Sequence, residues 1–510
     1  MSDYDLIIVG AGSAGSVIAA RVTEDPKKRV LVLEAGPDYA REEDLPEDLQ
    51  NGHHNSITAH DWGFTYQPHA GSRPTAPLPR GKVTGGSSAV NTCIALRGQP
   101  EDYDEWAAIA GPEWAWEKCL PAFIRLETDL DIENELHGRD GPLPIRRYRT
   151  DELVPMQRAF LDSCRAHGFP ECADHNDPST TGYGPLPMNK RDGWQRISCA
   201  TAFLNPARDR ETLTIRPHTM IRRVVIANGH VSGVEVETGG VMETIEAKRV
   251  VLCAGSIQSP AILVRSGIGP RAVLEALGID VVRDLPVGAR LLDHPATLVA
   301  MKPKFDVASF GHPMIQTTMR YTAKDSDDFN DMQIEPISFL QRLNYDDESQ
   351  IAFGVAPVVE KTYGHGRLIF TSADPAAQPQ IEANFLADEW DLDRMMNGLE
   401  IALDIVNTPP FSDLYEAQIW PRPEVSDDRA ALRDWAKRAC GSGYHLCGTV
   451  SMGTPDDEFA VLDQYGRVFG VEGLYVADAS IMPTVPRANT NIPTIMIGER
   501  FGEWLREDAI

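Results

Sequence analysis

The sequence predicts an α/β fold, α+β overall, in which one domain is interrupted by a second domain with a mostly antiparallel sheet. Three observations predict it. An apolar strand, a glycine-rich turn and a helix occupy residues 5–22, and a second apolar strand follows at 29–33. The stretch from about 300 to 450 instead contains alternating runs. The chain then returns to a buried-type strand at Gly473–Ala477.

Local patterns support each element in turn. Asp5–Val9 and Arg29–Leu33 are apolar runs of strand length, as in a parallel sheet that is buried on both faces. The runs Asp331–Pro336 (DMQIEP) and Ile351–Val359 (IAFGVAPVV) resemble antiparallel strands. A closing helix is predicted over Thr494–Trp504.

Bulk composition excludes several classes of protein. A chain of 510 residues is too long for one ordinary core, which favours two domains. The 48 basic and 75 acidic residues give a charge of −27, which opposes unspecific binding to nucleic acid or an anionic membrane. The absence of a signal-like start and of a long apolar run predicts a cytoplasmic protein. The cysteines and histidines form no CxxC or HxxxH pair, so no metal site is predicted.

The segment Gly10-Ala11-Gly12-Ser13-Ala14-Gly15 follows a strand and opens a helix, which is the Rossmann-like dinucleotide fingerprint. Gly10 permits a tight turn, Gly12 lets the backbone approach a pyrophosphate, and Gly15 lets helix and strand pack closely. Glu34, at the end of the second strand, is placed to bind ribose hydroxyls and would repel a 2′-phosphate. The motif alone leaves FAD and NAD open.

Four further segments carry a family resemblance. They are GKVTGGSSAVN (81–91), AGSIQSPAILVRSGIG (254–269), GYHLCGTVSMG (443–453) and ADASIMPTVPRANTNIP (477–493). Together with the fingerprint, and in this order, they resemble the signatures of the glucose–methanol–choline (GMC) oxidoreductases. Within that family the chain is most similar to bacterial choline oxidases and to hydroxymethylfurfural-type aryl alcohol oxidases.

The resemblance implies an FAD-binding domain and a substrate domain built on a six-stranded sheet. The FAD-binding domain is predicted over 1–150, 196–300 and 455–510, and the substrate domain over 151–195 and 301–454. Val90 stands where some choline oxidases have the histidine that attaches FAD, so the FAD is predicted to be non-covalent. The residues predicted to bind FAD are Gly10, Gly12, Ser13, Ala14, Gly15, Glu34, Ala35, Gly86, Ser88, Asn91, Thr92, Cys93, Ile94, Ile221, Tyr444, Asp478, Ala479 and Ile492.

The resemblance also implies a catalytic pair, His445 and Asn491. Histidine suits proton transfer because its pKa lies near neutrality. His445 is predicted to be either the proton acceptor or the stabiliser of an alkoxide, and both roles stay open. Asn491 is predicted to orient the hydroxyl or His445 by hydrogen bonding.

Two departures from the family pattern bear on the substrate. Ala296 stands where choline-oxidising members carry a glutamate, which predicts an uncharged primary alcohol that is aryl, furanic or otherwise activated. This alcohol is predicted to be oxidised to the aldehyde by hydride transfer to flavin N5. Gly443 replaces a valine that related oxidases carry, and this widening of the pocket wall leaves open whether O2, reduced to H2O2, or another acceptor reoxidises the flavin. Trp62, Phe353, Gly443 and Tyr444 are predicted to line the substrate pocket.

Other functions remain as alternatives. An NAD-linked dehydrogenase would explain the fingerprint but not the second glycine loop. A choline-type oxidase, a flavin photodecarboxylase and a non-catalytic flavoprotein are the others. The predicted partners are a small-molecule alcohol and an electron acceptor, with neither nucleic acid nor membrane, in a monomer or a homodimer.

Overall fold

The computed structural model describes residues 4–69, 75–304, 307–340 and 351–510. Its helices pack around two main sheets. Within these residues the α-helices are α1 (Ser13–Val22), α2 (Glu47–Gln50), α3 (Pro100–Ala110), α4 (Trp116–Leu126), α5 (Pro155–Ala166), α6 (Asn205–Ala207), α7 (Gly255–Arg265), α8 (Arg271–Ala276), α9 (Glu389–Val406), α10 (Pro423–Ser426), α11 (Arg429–Ala439) and α12 (Asn491–Arg506). None of the helices in this part of the chain has the length and apolar character needed to cross a membrane.

The strands are mostly short, and the longest belong to the antiparallel sheets. In chain order they are β1 (Leu6–Val9), β2 (Val30–Leu33), β3 (Phe64–Tyr66), β4 (Ala76–Leu78), β5 (Glu127–Asp129), β6 (Leu143–Ile145), β7 (Gly182–Pro185), β8 (Lys190–Arg191), β9 (Gln195–Arg196), β10 (Leu213–Arg216), β11 (Thr219–Ala227), β12 (His230–Thr238), β13 (Val241–Glu246), β14 (Val250–Leu252), β15 (Ile268–Gly269), β16 (Arg283–Asp284), β17 (Pro295–Ala296), β18 (Val299–Pro303), β19 (Thr317–Tyr321), β20 (Met332–Leu340), β21 (Ala352–Val359), β22 (Arg367–Ile369), β23 (Gln380–Glu382), β24 (Tyr415–Trp420), β25 (Gly441–Ser442), β26 (Ser451–Met452), β27 (Ala460–Leu462) and β28 (Leu474–Val476).

The first main sheet is parallel and has the order β10-β2-β1-β14-β28. Ile8 is aligned with Val32 on one side and with Val251 on the other, and all three are fully buried. Helices α1 and α12 pack against each other beside it. This parallel sheet, assembled from distant parts of the chain, confirms the predicted α/β fold.

The second main sheet is antiparallel along the six-strand path β24-β18-β21-β20-β19-β7, and the short strands β17 and β25 extend it beside β21. It confirms the predicted antiparallel sheet. The predicted boundary at residue 300 falls inside β18, which belongs to this sheet. The division of the chain into domains at the predicted residues stays a prediction.

Strand alternation gives this sheet two different faces. Met332 and Pro357 point toward α9, where a Cβ on Gly398 would lie 2.9 Å from each of their side chains. Ala356 and Val358, which alternate with Pro357 on β21, line a cavity on the other face. Phe353 shares the odd-numbered register of Pro357 and packs against Phe411 with ring centroids 5.6 Å apart. The prediction that Phe353 lines the substrate pocket is therefore wrong, because the residue lies outside that cavity.

Candidate active site

A cavity of about 550 Å³ lies between the glycine turn after β1 and the inner face of the antiparallel sheet. Small-molecule sites commonly measure about 300–1,000 Å³. Most of the residues predicted to bind FAD line it, namely Gly10, Gly12, Ser13, Ala14, Glu34, Ala35, Gly86, Asn91, Thr92, Ile94, Ile221, Tyr444, Asp478 and Ala479. Trp62, Gly443 and Tyr444 of the predicted substrate pocket line it too.

The three glycines of the fingerprint have the predicted local environments. Gly10 has φ +98°, and a Cβ there would lie 2.5 Å from the carbonyl oxygen of Cys253. A Cβ on Gly15 would lie 2.0 Å from the oxygen of Gly10, so this position serves packing rather than the cavity. Gly12 faces the cavity, and its Cβ position has no atom closer than 3.8 Å. The turn thus offers an open backbone edge at the start of α1.

The second glycine loop packs directly on this turn. Gly85 N donates to the oxygen of Ala11 at 2.7 Å. Gly86 has φ +52°, and a Cβ there would lie 2.7 Å from the Cα of Gly12. The two loops therefore form one continuous backbone cradle along the cavity, which fits an extended pyrophosphate.

Two buried carboxylates organise the ends of this cradle. Glu34 accepts from Ala11 N at 3.0 Å and from Gly36 N at 2.8 Å. Burial raises the pKa of Glu34 to about 7, against these two lowering contacts. Asp478 accepts from Gly255 N at 2.9 Å and from Ser480 N at 2.8 Å, which fixes the start of α7 beside the cavity. Open glycine edges, helix starts and a cavity-facing Glu34 fit FAD.

Three further residues predicted to bind FAD lie just outside the lining, as Gly15 does. The Ser88 hydroxyl is used internally, since it donates to the oxygen of Gly85 and accepts from Cys199 N. Cys93 is fully buried and Ile492 nearly so. These residues pack behind the cradle and support it. Their side chains are not placed to contact a ligand in this cavity.

His445 lies in the loop after β25 and is fixed by the segment around His294. Leu292 and Cys447 exchange backbone hydrogen bonds of 3.0 and 2.9 Å, which pairs the two segments. Asp293 accepts from the backbone N–H of His445 and of His294, each at 2.8 Å. The Nδ1 atoms of the two histidines are 2.8 Å apart. The loop therefore has little freedom to move His445.

The side chain that contacts Nε2 of His445 is Asn489, whose Nδ2 lies at 2.9 Å. Asn491, which was predicted to be this partner, instead accepts from Ser13 Oγ at 3.1 Å. The reason is that α12 begins at Asn491, three residues before the predicted start of Thr494. Its first turn directs Asn491 to the glycine cradle, while Asn489 stays in the loop that faces His445. The prediction that Asn491 contacts His445 is therefore wrong.

The surroundings of His445 keep its ring neutral. Burial of the imidazole is the main cause that holds the pKa of His445 well below its usual range, and the neighbouring His294 and Arg80 side chains act in the same direction. Burial likewise lowers the pKa of His294 to about 4. Because Asn489 donates to Nε2, the ring proton of neutral His445 is on Nδ1, which donates to His294. Nε2 is therefore unprotonated at neutral pH, and its lone pair accepts from the Asn489 amide.

Gly443 allows the two histidines to meet. A Cβ on this residue would lie 2.9 Å from the oxygen of His294 and 3.2 Å from Nδ1 of His445. The space that a valine would fill is thus occupied by His294, which differs from the predicted widening of the wall. Trp62 and Phe64 also line the cavity, and their rings stack with centroids 5.7 Å apart.

Sequence reasoning missed four residues of this site: Asn489, His294, Glu335 and Glu360. Glu335 of β20 and Glu360, just after β21, both line the cavity. Period-two alternation could have placed Glu335 on one face of its strand, but it could not have told which face is inward.

The GMC oxidoreductase family matches this chain over residues 4–296 and again over residues 362–498. The first match alone covers more than half of the 510 residues. The chain belongs to the GMC oxidoreductase family. The membership confirms the resemblance carried by the glycine loops and the C-terminal segments, and it makes the chain a flavin oxidoreductase.

Similar GMC proteins cover the whole chain. An oxygen-dependent choline dehydrogenase from Photobacterium profundum is 34% identical over 98% of this chain and 92% of its own length. A 5-(hydroxymethyl)furfural oxidase from a Methylovorus species is 34% identical over 99% of both. The crystal structure of pyridoxine 4-oxidase from Mesorbium loti superposes with a TM-score of 0.89 at 29% identity, covering 98% of this chain and 99% of that one.

Proposed function

We propose that this GMC oxidoreductase oxidises a primary alcohol to an aldehyde with non-covalently bound FAD, and passes the electrons to O2 to give H2O2. The observation that supports it best is the pairing of a neutral His445 with Asn489 at the wall of the cavity. The three relatives act, by their names, on alcohols with quite different remaining structure. Their common feature is the hydroxyl group.

The two polar groups divide the work at the hydroxyl. Nε2 of His445 is unprotonated at neutral pH, and it accepts the hydroxyl proton once the alcohol oxygen replaces the Asn489 amide beside it. The Asn489 amide N–H donates to the same oxygen and stabilises the negative charge that develops there. Bound FAD supplies the acceptor for the hydride that leaves the carbinol carbon. Loss of a proton to His445 and of a hydride from carbon leaves the aldehyde.

His294 and Asp293 position the base rather than react. The neutral Nδ1 of His294 accepts from Nδ1–H of His445, which fixes the ring plane and keeps Nε2 turned to Asn489. Asp293 holds the backbone of both histidines. Once His445 carries the proton, the His294 lone pair and the nearby Asp293 charge stabilise the imidazolium.

The FAD is held by the cradle of Gly12 and Gly86, by Glu34 and by the start of α12 at Asn491. The amide Nδ2 of Asn491 is buried with no hydrogen-bond partner in the described part of the chain, and it supplies an unused donor at this point. The aliphatic Val90 side chain, which faces the cavity, cannot form a covalent bond to flavin. Acid precipitation of the purified protein should therefore leave all yellow colour in the supernatant, and colour in the pellet would contradict non-covalent binding.

The deciding experiment mixes the yellow protein anaerobically, in the dark, with a panel of primary alcohols and follows the flavin absorbance. Bleaching by an alcohol, with aldehyde formed in equal amount, supports the proposal. Rapid recovery and peroxide on admission of air would show an oxidase, whereas slow recovery would show a dehydrogenase that uses another acceptor. No bleaching by any alcohol, with turnover of a carboxylic acid in light, would replace the proposal with photodecarboxylation.

A further inference from the structure

Two carboxyl groups of the cavity wall have no role in the proposed alcohol oxidation. Glu335 on β20 and Glu360 after β21 lie on the inner face of the antiparallel sheet. Glu335 is paired in register with Ala356, and Glu360 continues the alternation of Ala356 and Val358 along the neighbouring strand. Both side chains therefore reach the cavity from the same sheet.

Neither group forms a direct ion pair with a lysine or an arginine inside the described ranges. Neither carboxylate has a lysine or arginine nitrogen within 4.0 Å there. The nearest basic atom is Nδ1 of His294, 3.5 Å from Glu360 Oε2, and that ring is neutral. Arg320 acts on Glu360 through space, but its guanidinium donates to backbone carbonyls of His175 and Arg487.

Glu360 is also unsatisfied as a hydrogen-bonding group. The residue is 1% exposed, and its Oε2 has no hydrogen-bond partner among the residues that the structure describes. Burial raises the pKa of Glu335 and of Glu360 to about 8, and the charge of Glu360 adds to the effect on Glu335. A buried carboxyl without a counter-ion is costly, and a cation brought by a ligand removes that cost.

The two carboxyls lie close to the reacting centre. Asn489 donates to Glu335 as well as to Nε2 of His445, so one amide group separates this carboxyl from the base. A ligand that reaches both His445 and Glu335 needs only a few bonds between its hydroxyl and its cation.

We infer that Glu335 and Glu360 form a subsite for a basic nitrogen, so that the substrate is a short amino alcohol. This inference rests on the proposed alcohol oxidation. It departs from the uncharged alcohol predicted from Ala296, because the cavity has its carboxyl groups on the sheet instead of at residue 296. The hydroxyl lies at His445 and Asn489, and the ammonium group lies at the carboxyl groups of the sheet.

The subsite gives the reaction a characteristic pH dependence. Other groups facing the pair are Gln333 and Asn489 at Glu335, and Arg320, Asp102 and His294 at Glu360. A raised carboxyl pKa means that the charged form appears only as pH approaches about 8. Binding of an ammonium group therefore releases protons, and kcat/KM for an amino alcohol rises toward that pH. A neutral alcohol lacks this rise.

The test compares two alcohols of nearly the same shape, 2-(dimethylamino)ethanol and 3-methylbutan-1-ol, in the wild-type holoenzyme and in the variants Glu335→Gln and Glu360→Gln. The readout is the ratio of their kcat/KM values, in which a common loss of activity cancels. We expect the ratio to favour the amine and to fall about tenfold to a hundredfold in each variant, as for loss of a charge-assisted contact. An unchanged ratio in both variants overturns the inference.

A binding measurement separates this inference from the proposed function. N,N-dimethylethylamine hydrochloride has the ammonium group but no hydroxyl, and calorimetric titration follows its binding to holoenzyme and to the Glu335→Gln/Glu360→Gln double variant. Binding with proton release in the wild type, lost in the double variant, supports the subsite even if no alcohol is oxidised. Alcohol oxidation without preference for amines, and without this binding, retains the proposed function and rejects the subsite.

Discussion

Two asparagines in one short segment serve different parts of the cavity. Asn489 donates to the base His445, whereas Asn491 contacts Ser13 at the glycine cradle. We expect Asn489→Ala to slow flavin reduction by an alcohol about 10²–10³-fold, as for loss of one donor to a developing oxyanion, with FAD retained. Asn491→Ala is the matched control and should chiefly weaken FAD binding. Stopped-flow reduction and flavin content measure both, and the reverse pattern would restore Asn491 as the partner of His445.

His445 itself carries the proton transfer. His445→Ala should leave the yellow FAD bound and slow anaerobic flavin reduction by roughly 10²–10⁴, the range for a positioned acid–base group. His294→Ala is a useful comparison because it removes only the group that orients the ring. Its rate should lie between those of the wild type and His445→Ala. Equal loss in both variants would mean that His294 takes part in the reaction directly.

The lowered pKa of His445 determines how the oxidation of a neutral alcohol responds to acid. The imidazole is neutral, and able to accept a proton, at every pH above its folded-state pKa, which lies well below its usual range. For 3-methylbutan-1-ol we therefore expect kcat/KM to stay level as pH falls through the ordinary histidine range of about 6.5. A loss of activity centred there would show that His445 titrates normally.

At the scale of elements, the sequence predicted those features that depend on local geometry. The glycine turn was predictable because each glycine has a steric reason visible in the motif, and the strands around Glu335 and Phe353 were predictable from composition. The inward face of those strands was not, because it depends on which side α9 packs. The start of α12 was missed by three residues, which was enough to exchange the positions of Asn489 and Asn491.

The contact between the two glycine loops is an element-scale feature that can be tested. Gly86→Ala puts a Cβ 2.7 Å from the Cα of Gly12, so the loops must separate and FAD binding should weaken markedly. Gly240→Ala is the control, since Gly240 has φ +82° but no atom within 4 Å of its Cβ position. Both variants carry a backbone cost of about 1 kcal/mol. Flavin content after gel filtration should fall only in Gly86→Ala. Equal flavin content in the two variants would mean that the contact between the loops is not needed for FAD binding.

At the scale of the whole molecule, the cavity lowers the stability of the fold, and contacts elsewhere in the chain offset this loss. A buried cluster away from it joins distant segments: Arg147 pairs with Asp129 and Asp174, each at 2.9 Å, and His137 contacts both carboxylates. These contacts raise the pKa of His137 to about 10 against its burial. Charges in this cluster are compensated within the fold, whereas Glu335 and Glu360, with pKa values raised to about 8, hold their protons at neutral pH until a ligand brings a cation.

This difference predicts how stability depends on pH. A carboxyl whose folded pKa is raised holds a proton that the unfolded chain has already released, so stability falls as pH rises toward that pKa. For Glu335 and Glu360 the fall extends to about pH 8. His137 acts in the same direction above the ordinary histidine range, up to about 10. The buried histidines with lowered pKa values, such as His294, act oppositely, but only below about 6.5.

Between neutrality and pH 8, the Tm of the ligand-free holoenzyme should therefore decrease. The underlying loss of unfolding free energy is up to about 1.4 kcal/mol per pH unit for each proton. The Glu335→Gln/Glu360→Gln double variant has no proton to lose at these positions, so its Tm should decrease less over the same range. The remaining fall comes from His137 and, close to neutrality, from Glu34. Thermal unfolding followed by flavin fluorescence measures both proteins. Parallel curves would mean that the two carboxyls are already ionised at neutral pH, and the cavity would then hold its negative charge without a ligand.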